Sequence, residues 1–232
     1  MKRFYKDAAA AAVEGGWQVR LDGRGVKTPA GAPQVVPTRA LAEALAAEWA
    51  VQDGELDPAR FGLRDLADIA VDSAADEARA AILPYGETDT LLYRALPSDP
   101  LAAAQEAAWD PIVAAAEARL GVRFVRVAGV LHRAQPDAAQ AALTREVEAL
   151  RPFALTAVRV MAALAASLIV ALTALEPDAD LDALWDAAEL EEAWQAERWG
   201  QDAEAAARAA GRRAAFMAAA RFARLAREEP RG

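Results

Sequence analysis

Between Arg159 and Glu176 the chain carries sixteen consecutive residues, VMAALAASLIVALTAL, without a charge. Such a run has two physical solutions, a bilayer span or a helix buried on most sides. A span needs about 20 predominantly apolar residues, so this one is short, and its Ala content makes it only mildly hydrophobic. The expectation is a buried central helix, apolar all round and covered by other helices. The remaining sequence can supply that cover. Of all residues 55% are hydrophobic, and many of these are Ala, the best helix former.

The first forty residues read differently. Trp17-Gln18-Val19-Arg20-Leu21 alternates, Asp22-Gly23 supplies a turn, and Arg24 to Thr28 returns. Asp-Gly between such runs is a strong hairpin signal, because both central positions of a type I′ turn need positive φ. Gln34-Val35-Val36 fits a further strand and Phe4-Tyr5-Lys6 an edge pairing. From Thr38, a suitable N-cap, the period changes: Leu41, Leu45, Ala46 and Trp49 recur at helical spacing. Further helices are expected over 63–75, 78–83, 88–95 and 101–120, with Pro84 as a breaker and Pro111 inside the last. Gly121 ends it, Val122 to Val127 alternates as a strand, and 129–131 is its candidate partner. Helices over 136–150, 152–175, 181–199 and 202–227 follow, with Gly200 as a C-cap. Their short connections make them antiparallel neighbours in a bundle. The fold class is therefore α+β: a small hairpin-containing domain over 1–80, then a mainly helical domain over 81–232 with a short β element near 122–131.

Chemistry is scarce along this chain. It has no Cys and one His, His132, which removes thiol nucleophiles, disulfides and Cys-based zinc sites. A net charge of -9 and a pI near 4.8 oppose nucleic-acid binding, which needs clustered cations. Gly23-Arg24-Gly25-Val26-Lys27-Thr28 resembles a phosphate loop but lacks its spacing and its following helix. A Ser-His-Asp triad would need His132 with Ser73, Ser98 or Ser167, none of them in a nucleophile elbow. Asp65, Asp68 and Asp72 share a helix face that reads as solvated. Glu87 and Asp89, with His132, leave a metal-assisted hydrolase as the alternative enzyme reading, although two carboxylates two apart diverge on a helix. No catalytic residue, metal or cofactor is expected. Met-Lys-Arg-Phe-Tyr-Lys has no apolar run behind it, so no secretory leader is read there.

Trp49, Trp109, Trp185, Trp194 and Trp199 fall on expected helices among Ala. Two readings stay open: core anchors in an Ala-lined bundle, or projecting hot spots for a protein partner. Trp194 and Trp199 stand with Glu191, Glu192 and Glu197 in an aromatic, acidic stretch. The last helix is basic through Arg208, Arg212, Arg213, Arg221, Arg224 and Arg227. Pairing with the preceding acidic helix and a partner site are both open for these cations.

Several pieces together resemble one family. They are Arg3-Phe4-Tyr5-Lys6, Leu21 to Pro29 (LDGRGVKTP), Ala47-Glu48-Trp49, Glu87-Thr88-Asp89-Thr90 running into Tyr93-Arg94, and Trp109-Asp110-Pro111. The last is Leu190 to Gln195 (LEEAWQ) with Trp199-Gly200. In this order they resemble the assembly chaperones that bind the α subunit of the ATP synthase catalytic head, the ATP-twelve type. The resemblance implies a non-catalytic chaperone that holds the free α subunit and prevents its aggregation until β arrives. It also implies a β-containing N-terminal domain, a helical C-terminal domain and a functionally important acid in the latter. Glu192 is the carry-over for that acid, with Glu191 and Glu197 as rivals. The implied client-binding set is Glu191, Glu192, Trp194, Gln195, Glu197 and Trp199. A monomer without membrane insertion is expected, cytoplasmic in a bacterium, with eukaryotic relatives in the mitochondrial matrix. A generic protein-interaction adaptor is the remaining alternative.

Overall fold

Residues 1–129, 131–200 and 202–227 are described by the structure, a computed structural model. They fall into two units. The first gathers residues 1–75, 151–157 and the segment from 221; the second gathers 76–150 and 158–220. A single division at residue 80 gives two contiguous stretches, whereas the first unit here draws on three separate parts of the chain.

The first unit begins with a strand that composition argues against. Ala8–Val13 (β1, AAAAAV) pairs antiparallel with Gly16–Leu21 (β2), in register from Ala8↔Leu21 to Val13↔Gly16. A helix preference of tenths of a kcal/mol per Ala yields to this ladder and to packing on Arg39–Ala50 (α1), whose close approach small side chains allow. Arg24–Gly25 (β3) follows across Asp22 and Gly23, whose φ values are +47° and +82°, the positive pair that a type I′ turn needs. Val35–Val36 (β4) pairs with β2 at Gln18 and Trp17. The 4–6 segment forms no edge strand. Tyr5 is buried instead, and its hydroxyl donates to the Trp49 carbonyl at 2.6 Å.

α1 starts where expected, with the Thr38 Oγ1 accepting from the Leu41 N–H at 3.1 Å. Leu41, Leu45 and Trp49 of α1 pack in the core with Val19, Phe61 and Leu63. Gly62–Asp72 (α2) has no cap from its own N-cap residue. Glu48 supplies one, accepting from the Leu63 and Arg64 N–H groups at 2.8 Å each, which satisfies otherwise orphaned first-turn donors. On the expected solvated face of α2, Asp65 and Asp72 are exposed and Asp68 is half-buried. Asp68 accepts from Gln34 Nε2 at 2.6 Å, and Asp72 from Thr28 Oγ1 at 2.7 Å. The loop after β3 folds onto this face and uses its carboxylates.

The second unit is mainly helical, from Ala75–Ile82 (α3) onward. Residues 88–95 do not form the expected helix: Thr90–Leu92 is one 3₁₀ turn and Tyr93–Arg94 a strand (β5). Pro100–Leu120 (α4) runs through Pro111 and ends at Gly121, which adopts φ +68°. Its Trp109 is fully buried, and α4 packs against several of the helices that follow.

Of the expected 122–127 strand only Val127 lies in one, the two-residue Val127–Ala128 (β6), which pairs parallel with β5. Side chains take the backbone groups that a ladder would have used. Gln135 accepts from the Val125 N–H at 2.8 Å and donates to its carbonyl at 2.9 Å, while Glu117 accepts from the Phe124 N–H at 2.8 Å. The partner expected at 129–131 includes Val130, which lies outside the described residues; the observed partner is Tyr93–Arg94.

Asp137–Ala149 (α5) and Pro152–Ala165 (α6) follow. The long helix expected over 152–175 breaks at Ala166, with φ +46°, and resumes as Leu168–Thr173 (α7) capped by Ser167. Leu181–Ala188 (α8) and Leu190–Trp199 (α9) divide at Glu189, and Ala203–Ala226 (α10) closes the chain. Among the described residues no helix is long and apolar enough to cross a membrane.

Candidate functional site

The break at Ala166 is set by a carboxylate far away in sequence. Asp89 is fully buried and accepts from the Leu91 N–H at 3.1 Å, the Ser167 hydroxyl at 2.7 Å and the Ile169 N–H at 2.9 Å. It therefore caps two helical segments at once. Burial pushes its pKa up to about 6, against the lowering effect of those hydrogen bonds. Glu87 is engaged separately, accepting from the Gln135 N–H at 3.2 Å, and His132 Nδ1 lies 3.0 Å from the Tyr93 hydroxyl. Among the described residues no group of three or more His, Cys, Asp or Glu side chains is placed to hold a metal ion. Glu87, Asp89 and His132 thus have different partners.

Other matched pieces also meet inside this unit. Arg94 pairs with Asp110 at 2.8 Å and lies 5.1 Å above the Trp109 ring. The Trp109 indole donates to the Ala187 carbonyl at 2.7 Å, near the end of α8. Burial pushes the Glu117 carboxyl up, but hydrogen bonds from Arg126, the Phe124 N–H and Arg123 hold it below its usual value overall. These motifs are structural ties.

α9 is different, because no residue along it is buried. Glu191 and Glu192 occupy its first turn and Arg198 its last, as the helix dipole favours. Residues at i, i+3 and i+7 share a helix face, and this sorts the six expected site residues. Glu192, Gln195 and Trp199 make one exposed stripe, with Trp199 77% exposed. Glu191 and Trp194 lie on a half-buried stripe beside it. There Glu191 accepts from Gln105 Nε2 at 2.6 Å, and Arg198 covers the Trp194 ring at 4.0 Å. Burial raises the Glu191 pKa, helped by neighbouring Glu192. Glu197 is exposed but, two residues from Gln195, sits on another side of the helix.

The cations of α10 choose other partners. Arg212 pairs with Glu189 at 2.8 Å, and Arg213 with Asp182 and Asp186 of α8. Among the described residues Glu192 and Glu197 make no ion pair, so α9 keeps an acidic surface that its neighbours leave unmatched.

Of the five Trp residues placed on expected helices, Trp49, Trp109 and Trp185 are buried, Trp194 is half-buried and Trp199 is exposed. The core reading fits the three buried residues, and Trp199 projects from its helix. Sequence reasoning missed one feature, a cleft of about 720 Å³ in the first unit. Its walls come from Phe4-Tyr5, the Leu21–Pro29 return, Trp49, Arg64 and Asp68. The signal was available, since three of the matched pieces, far apart in sequence, supply most of that lining.

A small strand-containing part followed by a mostly helical one matches solved structures of known proteins. The family model described as ATP12 chaperone protein matches residues 2–117. The crystal structure of Atp12 from Paracoccus denitrificans is 37% identical, covering 97% of this chain and 98% of that one with a TM-score of 0.92, and a single-substitution mutant of it gives the same values. The Atu1473 protein of Agrobacterium tumefaciens is 38% identical over 96% of this chain and 85% of its own, with a TM-score of 0.91. The class is that of a chaperone. More particularly, the chain belongs to the ATP12 chaperone family.

Proposed function

We propose that this protein holds the free α subunit of the ATP synthase catalytic head and keeps it from aggregating until it assembles with β. As a member of the ATP12 chaperone family it is an ATP synthase assembly chaperone. The α subunit as client, a monomeric state and a cytoplasmic setting are our reading. The observation that carries it is the exposed stripe of Glu192, Gln195 and Trp199, acidic and aromatic, whose carboxylate makes no ion pair among the described residues. Exposed Trp is the side chain most often found as an interface hot spot. An unpaired acid beside it favours a client surface of opposite charge.

The test is capture of separately expressed α and β subunits on the immobilised protein, together with light scattering of α as it aggregates. Retention of α but not β, with suppressed scattering, is the expected result. Failure on both counts overturns the reading. Glu192→Lys should weaken α capture at least tenfold while leaving circular dichroism and the urea midpoint unchanged, because the side chain is exposed and makes no ion pair among the described residues. Undiminished capture by that variant would move the contact away from α9.

A further inference from the structure

The cleft of the first unit has no role in the proposal above, yet it has the features of a built site. Its aromatic side is a continuous row. Phe4 meets Tyr5 edge-on at 5.3 Å, Tyr5 meets Trp49 at 5.5 Å, and Trp49 meets Phe61 at 4.6 Å. One end of the row is buried at Phe61, and the other, Phe4, is 64% exposed.

The charges around the cleft divide into those in use and those free. Asp22 accepts from the Lys6 and Asp7 N–H groups, Asp68 accepts from Gln34, and Arg64 pairs with Asp65. Arg24 and Lys27 are exposed, and among the described residues neither makes an ion pair. The chain carries 35 acidic side chains against 26 basic ones, so unpaired cations beside the aromatic row run against the overall balance. The backbone carrying them is fixed. Asp22 ties the hairpin turn to the 6–7 segment, and Asp72 accepts from the Thr28 hydroxyl. Preorganised walls lower the ordering cost of binding, and the volume lies within the range of ligand sites.

We propose that this cleft binds an extended acidic segment of the client protein, with an apolar or aromatic side chain against Phe4 and carboxylates beside Arg24 and Lys27. The proposal rests on the chaperone reading, which makes the ligand a polypeptide, but not on the α9 surface.

The test is fluorescence anisotropy of labelled peptides with the full-length chain. The acidic probe Asp-Glu-Phe-Asp-Glu should bind at least tenfold more tightly than Lys-Lys-Phe-Lys-Lys and than Asp-Glu-Ser-Asp-Glu, and should weaken as salt is raised. Arg24→Glu with Lys27→Glu should reduce that affinity at least tenfold, and Phe4→Ser severalfold, with circular dichroism unchanged. Arg24→Gln with Lys27→Gln serves the same purpose if the reversal perturbs the fold. No binding by the wild-type chain, equal binding of the lysine peptide, equal binding of tripolyphosphate, or wild-type affinity in both double variants would each overturn the proposal. Glu192→Lys should leave peptide binding intact. Failure of the wild-type chain to capture α while it binds the acidic peptide therefore counts against the client reading alone, and α capture without peptide binding counts against the cleft alone.

Discussion

Replacing Trp109 with Ala should lower the unfolding free energy by about 3–5 kcal/mol, the cost of emptying a large, fully enclosed core site. Trp109 heads the fully buried side chains by volume, so no solvent can relax into the space without meeting apolar walls. Two further losses accompany the cavity. The Ala187 carbonyl near the end of α8 loses its indole donor, and Arg94 loses the ring it covers while keeping Asp110. Trp109→Phe separates these effects. It keeps much of the volume and forfeits the hydrogen bond, for a smaller loss of about 1–2 kcal/mol. Urea denaturation read by far-ultraviolet circular dichroism measures both variants. A loss below 1 kcal/mol for the Ala variant would show that this part of the second unit collapses onto the vacancy.

The second large effect is a pH dependence carried by Asp89. Its pKa is about 6 in the folded chain against 3.8 ordinarily, so between those values the folded state holds a proton that the unfolded state has released. Stability from this group is fully present below pH 4 and is lost as pH rises through 6. The span corresponds to about 3 kcal/mol. Asp89→Asn removes the titration while leaving an oxygen to accept from Ser167 or Ile169. Relative to that variant, the wild-type chain should therefore lose about 2 to 2.5 kcal/mol of that span between pH 4 and pH 7. The comparison also cancels Glu48, Asp68, Glu189 and Glu191, whose burial raises them in the same direction. Parallel stability profiles for the two proteins would remove Asp89 as the titrating group.

Much of the fold was legible because its signals are local. Asp22-Gly23 announced a turn that needs two positive φ values, and the structure has them. Thr38 announced an N-cap, and Gly121 a left-handed stop. Each of these operates within about one turn of chain. The missed elements depend on partners outside their own segment. Ala8–Val13 is a strand because β2 and α1 hold it there. The break at Ala166 contains no Gly or Pro, and is bonded to residues 89 and 90, more than seventy positions earlier. Val125 leaves the strand pattern because Gln135 satisfies its backbone from the side.

The candidate site divides in the same way. The run Glu191, Glu192, Trp194, Gln195, Glu197 and Trp199 could be read as an acidic, aromatic helix from its residues and spacing. Which of these are available could not, because availability depends on where other charges go. α10 offered five arginines, and only tertiary packing sent Arg212 and Arg213 to Glu189, Asp182 and Asp186, leaving Glu192 without an ion pair among the described residues. The cleft beside Phe4 is a sharper case, since its lining runs from Phe4 to Asp68, more than sixty residues apart. By itself the sequence determined the elements and the residue types they carry, since propensity, capping and turn geometry act over a few bonds. The tertiary structure alone decided which charges cancel, which aromatics are covered and where a cavity opens, because pairing and burial depend on distance in space.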